Sequence, residues 1–317
     1  MRFSKIIMAI SLMLLTKHSF AQSDTLGSAS LNGHQFVINE FVRDPFIYTS
    51  FNLLMGYGSS DGYNFPTLNI GDYELNIRSG ELFFGSLHTS YSHKINDWSM
   101  AYINFGVTGR FGSEPASMLT QGLNSITGFS YGMKFKILHT KKSMLSTEFR
   151  MKNYSISFIN VFRYLKDLIE QNTTADLTQN AHILAGQIGA SYAYAHNSLW
   201  GAYGSAKYFF GDSIIQGESV NQLNLGLSFD LNLYARTKIP LGINIGASSS
   251  TVPEFTLAKK SSSTIYSIQV AYVGRKDLQI GINASWFDSP LEVEGIPVTQ
   301  GLETNVRNLS MIMRYFF

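Results

Sequence analysis

Charged residues recur at alternate positions in several stretches of this chain. Lys134 and Lys136 alternate with apolar residues, Glu148, Arg150 and Lys152 do the same, and Arg110, Lys207, Asp230 and Arg314 hold equivalent places elsewhere. A period of two puts every second side chain on one face of an extended segment. These nine residues therefore share a face and leave the other face apolar. Seven of the nine are cationic and two anionic, and a narrow, low-dielectric lumen carrying that surplus concentrates anionic solutes. The same residues read equally as a charge network that fills and stiffens a narrow barrel, with Glu148 between Lys and Arg neighbours.

Catalytic chemistry is absent from the pattern. His34, His88, His93, His139, His182 and His196 show no spacing to a serine with a third orienting residue, and His-Glu-x-x-His, Gly-x-Ser-x-Gly and phosphate-loop patterns do not occur. The reading is of a protein that is not an enzyme, with no cofactor and no metal site. The chain has no cysteine, which excludes disulfides, thiolate chemistry and the acyl anchor of a bacterial lipoprotein. A near-neutral balance of 24 basic and 22 acidic residues leaves no electrostatic footprint for nucleic acid.

The elements that must position the charged face are long strands. Phe129, Tyr131, Met133, Phe135 and Ile137 alternate with Ser130, Gly132, Lys134 and Lys136, and Leu223 to Leu233 alternate with Asn224, Gly226, Ser228, Asp230 and Asn232. Segments of ten residues or more match the roughly 9 to 11 residues of a tilted strand crossing hydrocarbon; soluble strands are about half that length. Twelve such segments are expected near 46–58, 81–95, 98–111, 127–138, 144–156, 182–196, 199–210, 222–234, 241–250, 264–274, 278–287 and 305–317. Short and long connections alternate strictly between them, as in an antiparallel up-and-down transmembrane β-barrel with periplasmic turns and outer loops. The expected fold is all-β, a barrel of about twelve strands, or fourteen if 67–77 adds a hairpin arm.

Only 15% of residues are charged, against roughly 25% in soluble domains, which suits an outer face in contact with outer-membrane lipid. Residues 1–21 have a basic start, a ten-residue apolar run from Ile6 to Leu15 and small residues before the end at Ala21, the pattern of a cleavable signal peptide. Its loss would remove Arg2, Lys5 and Lys17 and no acid, leaving 21 basic against 22 acidic residues and a net charge of −1. Residues 22–45 would then be a periplasmic N-terminal segment or a lumen plug, and 46–317 the barrel. In the loop 157–181, Phe158, Phe162, Leu165 and Ile169 recur at helical spacing and predict an amphipathic helix at the mouth or rim. Small inward residues, among them Gly242, Asn244, Gly246 and Ser248, hint at a passage along one arc of the wall.

The last strand alternates Leu309, Met311, Met313, Tyr315 and the final Phe317. This resembles the C-terminal signature of Gram-negative outer-membrane β-barrel proteins, with Phe317 and Tyr315 as the assembly signature, and implies recognition by the barrel assembly machinery and an outer-membrane location. The functional reading is a porin-like channel passing a small solute, anion-preferring from its lumen charge. The alternatives are a non-conducting structural or partner-binding barrel and a transporter of hydrophobic compounds. The last resembles the long-chain fatty acid transporter family in concept, but the strand number is lower and the family's N-terminal hatch motif is missing.

Overall fold

A computed structural model describes residues 29–60, 68–70, 73–75, 82–111, 122–159, 164, 167, 176–212, 219–251, 262–290 and 303–317. Twelve strands follow in chain order: β1 Ser50–Ser60, β2 Leu82–Asn96, β3 Ser99–Phe111, β4 Gly122–His139, β5 Ser143–Ile159, β6 Thr178–Ala195, β7 Trp200–Asp212, β8 Ser219–Asn232, β9 Leu241–Ser250, β10 Ser263–Tyr272, β11 Leu278–Pro290 and β12 Glu303–Phe316. Each pairs antiparallel with the next, and β12 pairs with β1 from Val306–Ser60 to Phe316–Ser50, which closes the barrel. Closure leaves no unpaired strand edge, the condition for backbone to cross hydrocarbon.

Parity along each strand sorts the side chains. The outer face carries exposed apolar residues such as Met55, Phe105, Leu225, Leu227, Ile282 and Leu309, with Leu227 66% exposed. Water would not tolerate a continuous belt of that kind on a soluble protein, whereas a bilayer requires it. The inner face is polar: Ser130, Ser146, Gln187, Ser191, Asn244 and Gln269 are all buried inside. Short connections occur at one end, for example between Asn96 and Ser99; another, between Asn232 and Leu241, contains the single-turn helix α1 Tyr234–Thr237.

The barrel has the expected twelve strands: residues 68–70 and 73–75 pair only with each other and do not join it. One difference from the sequence expectation has a physical cause. Strands β4, β5 and β6 run to 18, 17 and 18 residues, beyond their expected outer ends. Phe158 consequently belongs to β5 and not to a loop helix: it pairs with Gln179 and Leu123 and is buried beside Ile156, with Ile126, Tyr154, Ala181 and Ile183 packed around them. The period-two run from Lys152 to Phe158 wins over the three- and four-residue spacing because strands exist on both sides to pair with it. Tyr164 and Asp167 are helical; Phe162, Leu165 and Ile169 lie outside the described residues.

Candidate functional site

The lumen is occupied by the chain's own segment ahead of β1. Residues 29–49 are not part of the wall. They begin with a two-residue turn at Asn32 and Gly33, both with positive φ (50° and 78°), joining the short paired runs Ser30–Leu31 and His34–Gln35. Asn-Gly is the sequence that a tight turn of this type demands, since both positions need the left-handed region. The segment enters from the short-turn end, where Asn32 Nδ2 donates to the His196 carbonyl (3.0 Å) and Gln35 Nε2 to that of Arg275 (3.1 Å).

Further in, an apolar core forms between segment and wall. Phe36, Ile38, Val42, Phe46 and Tyr48 pack with Met144, Ala193, Ala195, Tyr203 and Phe316. The Phe36 ring lies 5.1 Å from Phe46 and meets Tyr203 edge-on at 5.9 Å. Burying each large apolar side chain contributes about 1.5–3 kcal/mol. Wall glycines make the room: a Cβ on Gly242 would lie 2.5 Å from Val37, and one on Gly201 2.7 Å from Phe36. The small-residue arc is thus the seat of the segment and not an empty passage.

Polar groups of the segment are satisfied by the wall. His34 Nε2 lies 2.8 Å from Asp230 Oδ1 and its Nδ1 3.2 Å from the Ser198 carbonyl. Both ring nitrogens lie against oxygen atoms of the wall, which fixes the orientation of the imidazole. Asp230 Oδ2 also accepts from the Val37 N–H (3.0 Å) and Asn244 Nδ2 (3.1 Å). Tyr203 donates its hydroxyl to the Val37 carbonyl (3.1 Å), and Gln279 Nε2 donates to that of Phe36 (2.6 Å). Asn39 Nδ2 donates to Asn244 Oδ1 (2.9 Å) and Ser267 Oγ (2.8 Å). Lys134 Nζ binds the Asp44 carbonyl (2.6 Å) and carboxylate (3.2 Å). Burial would raise the Asp44 carboxyl, but Lys134, Arg314, the Phe46 N–H and Arg43 together hold it below the usual carboxylate value.

Beside the segment remains a cavity of ≈ 320 Å³, bounded by residues 38–44 and the inner faces of β1 to β5 and β12. Arg43 stands over the Tyr102 ring at 5.6 Å and 3.9 Å from Glu148. Glu148 accepts from Gln187 Nε2 (2.6 Å) and the Tyr102 hydroxyl (3.3 Å), while Arg150 Nε donates to that same hydroxyl (3.2 Å). Glu40 lines the cavity and is exposed there, yet enclosure by the barrel pushes its carboxyl up to about 7 against the pull of Arg314 and Arg43.

Lys134, Glu148, Arg150, Lys152, Asp230 and Arg314 all face inward and are buried. Lys134, Arg150 and Arg314 line the cavity, Asp230 anchors the segment, and Lys152 stands over the Phe209 ring at 3.9 Å. Lys136 lies opposite the inward Ser146 on the adjacent strand, near the short turn; Arg110 lies toward the other end, and Lys207 opposite Gly189. Tyr315 and Phe317 are exposed at the end of β12 and meet edge-on at 4.9 Å. Sequence reasoning missed His34, Asn39, Arg43, Asp44 and Tyr203. The Asn32-Gly33 pair was the legible clue that residues 22–45 contain a folded turn.

No protein-family model matches the chain, and no curated protein matches it. Among solved structures it is similar to an outer membrane channel from Pseudomonas putida, at TM-score 0.51 and 11% identity over 89% of this chain and 100% of that one. It is similar also to the NanC porin (TM-score 0.49, 7% identity, 84% of this chain and 99% of that one) and to a Pseudomonas aeruginosa FadL homologue (0.43, 12%, 92% and 97%). The fold is a closed twelve-stranded antiparallel barrel of the kind seen in the P. putida outer membrane channel, with residues 29–49 inside its lumen.

Proposed function

We propose that this protein is a plug-gated outer-membrane channel, exported through a cleavable leader at residues 1–21, that passes small solutes with a preference for anions. The single observation that carries the reading is that the lumen is occupied by a segment outside the wall, held by side-chain contacts, beside a polar cavity. A structural barrel fills its lumen with wall side chains; a segment that can leave makes the closure reversible. Displacement of residues 29–49 would free Lys134 from Asp44 and add its charge to Arg150, Lys152 and Arg314 along the path. Tyr315 and Phe317 serve assembly in this reading, as the terminal signature engaged by the barrel assembly machinery.

Planar-bilayer recordings test it. The intact chain should show brief, rare openings, and a chain lacking residues 29–48 should conduct steadily with a reversal potential favouring anions. K134E in the shortened chain should reduce or invert that preference. A shortened barrel that migrates as folded on an unheated gel yet passes no current would overturn the channel. It would favour a non-conducting barrel that binds a partner, a reading supported by how fully the segment fills the short-turn half of the lumen.

A further inference from the structure

Two buried guanidinium groups in the cavity have donors with nothing to receive them. Arg150 and Arg314 are each 8% exposed, and Arg150 Nη2 and Arg314 Nη1 have no hydrogen-bond partner. No neighbouring acid accepts from these two donors: Asp44 holds Lys134 and the Tyr48 hydroxyl, Glu148 holds Gln187, Tyr102 and Arg43, and Glu40 shares the cavity with Arg314 without a hydrogen bond to Arg314 Nη1. The two arginines come from β5 and β12, which are separated around the wall by β1 to β4, and both line the same cavity. An orphaned buried donor is costly, more so when charged, so a cavity built around two of them is a cavity with an occupant.

We infer that the cavity is a binding site for a small organic carboxylate, held between Arg150 and Arg314 with Arg43 of the plug as a third cation. A guanidinium fork matches the two-oxygen edge of a carboxylate. Around the cavity the cations Arg43, Lys134, Arg150 and Arg314 outnumber the acids Glu40, Asp44 and Glu148, so the set favours an anion. Asn52, whose Oδ1 is also buried without a partner, and Leu54 and Ile126 give the remainder of the ligand one polar and two apolar contacts. The site deepens the channel reading, since a solute reaches it only through the lumen. Binding in detergent and current in a bilayer are nevertheless separate measurements, so the failure of one is distinguishable from the failure of the other.

Isothermal titration of the refolded full chain in detergent micelles with sodium gluconate, and separately with sodium phosphate, decides the matter. Gluconate should bind saturably, R314Q and R150Q should each weaken it at least tenfold, and K276Q in an exposed turn should leave it unchanged. R150K with R314K, which keeps the charge and loses the fork, should recover only part of the affinity. The migration of each variant on an unheated gel checks its fold; should R150Q fail to fold, R314Q alone carries the test. Absence of saturable gluconate binding, equal binding by folded R314Q, or phosphate binding more tightly than gluconate would each overturn the inference.

Discussion

The two sides of the lumen have the same kind of wall and differ in how their charged groups are answered. On the side of β7 to β11, Tyr203, Asp230, Asn244, Ser267 and Gln279 each hydrogen-bond the inserted segment, and glycines admit its side chains closely. On the side of β1 to β5 and β12, Arg150 and Arg314 point unpartnered donors into a cavity. Polar lining alone therefore says little about a barrel's task. Where every charge is answered by the protein the wall is built to close, and where charges are left over it is built to receive something else.

The comparison breaks most severely at Asp230. Replacing it by alanine leaves His34 buried beside a missing charge and strips the Val37 N–H of its acceptor. Asp230 also receives Asn244 Nδ2, and each buried donor left without its acceptor costs about 1–3 kcal/mol. In D230A the segment should undock: residues 30–48 become open to protease and hydrogen exchange, and the openings lengthen toward those of the shortened chain. Phe36→Ala attacks the same half through packing. The ring is fully buried between Phe46 and Tyr203, and its loss costs about 3–5 kcal/mol in a site that cannot collapse. Its undocking should be close to that of D230A but without the same dependence on charge.

The open half is sharpened by pH. Glu40 ordinarily titrates at 4.5 and in the docked segment at about 7, so the docked state binds the proton more tightly. Docking is then strongest below pH 4.5, weakens as pH climbs toward 7, and is flat beyond. Cavity water screens part of the shift, so the expected change is a several-fold rise in open probability between pH 5 and 7.5. E40Q should abolish that slope. A slope that survives in E40Q belongs to another group and removes Glu40 from the gate.

The wall was legible from the chain because strand parity is a local property. Lys134, Glu148 and Arg150 reveal their face through their immediate neighbours, whatever lies across the barrel. The plug was not legible, because its hydrogen-bond partners on the wall lie far along the chain: Asp44 finds Lys134 90 residues away, Asn39 finds Tyr203 and Asn244, and Phe36 finds Gln279 243 residues away. No pattern within residues 29–49 announces which wall atoms will receive them. Gly242 and Gly246 were visible as small inward positions, but a sequence gives the size of a gap without its filling. Phe158 failed for a related reason. Two periodicities share that residue, and the pairing with Gln179 and Leu123 that decides between them is tertiary.

The smallest effect should come from the turn that starts the plug. Gly33 sits at φ 78° with its missing Cβ facing Ser198 at 3.6 Å, an ordinary contact, so space is not what limits it. An alanine there must still adopt the left-handed region, at a cost of about 1 kcal/mol. Asn32 tolerates its own φ of 50° because asparagine visits that region more readily than other side-chain-bearing residues. G33A should therefore loosen residues 29–35 while Asp230, Tyr203 and Lys134 keep the remainder docked. Hydrogen exchange should quicken at the His34 and Gln35 amides and not at those of residues 42–48. Equal quickening across the whole segment would mean that it docks as one cooperative unit nucleated at its turn, and the partition between an anchoring core and a separable lead-in would fall.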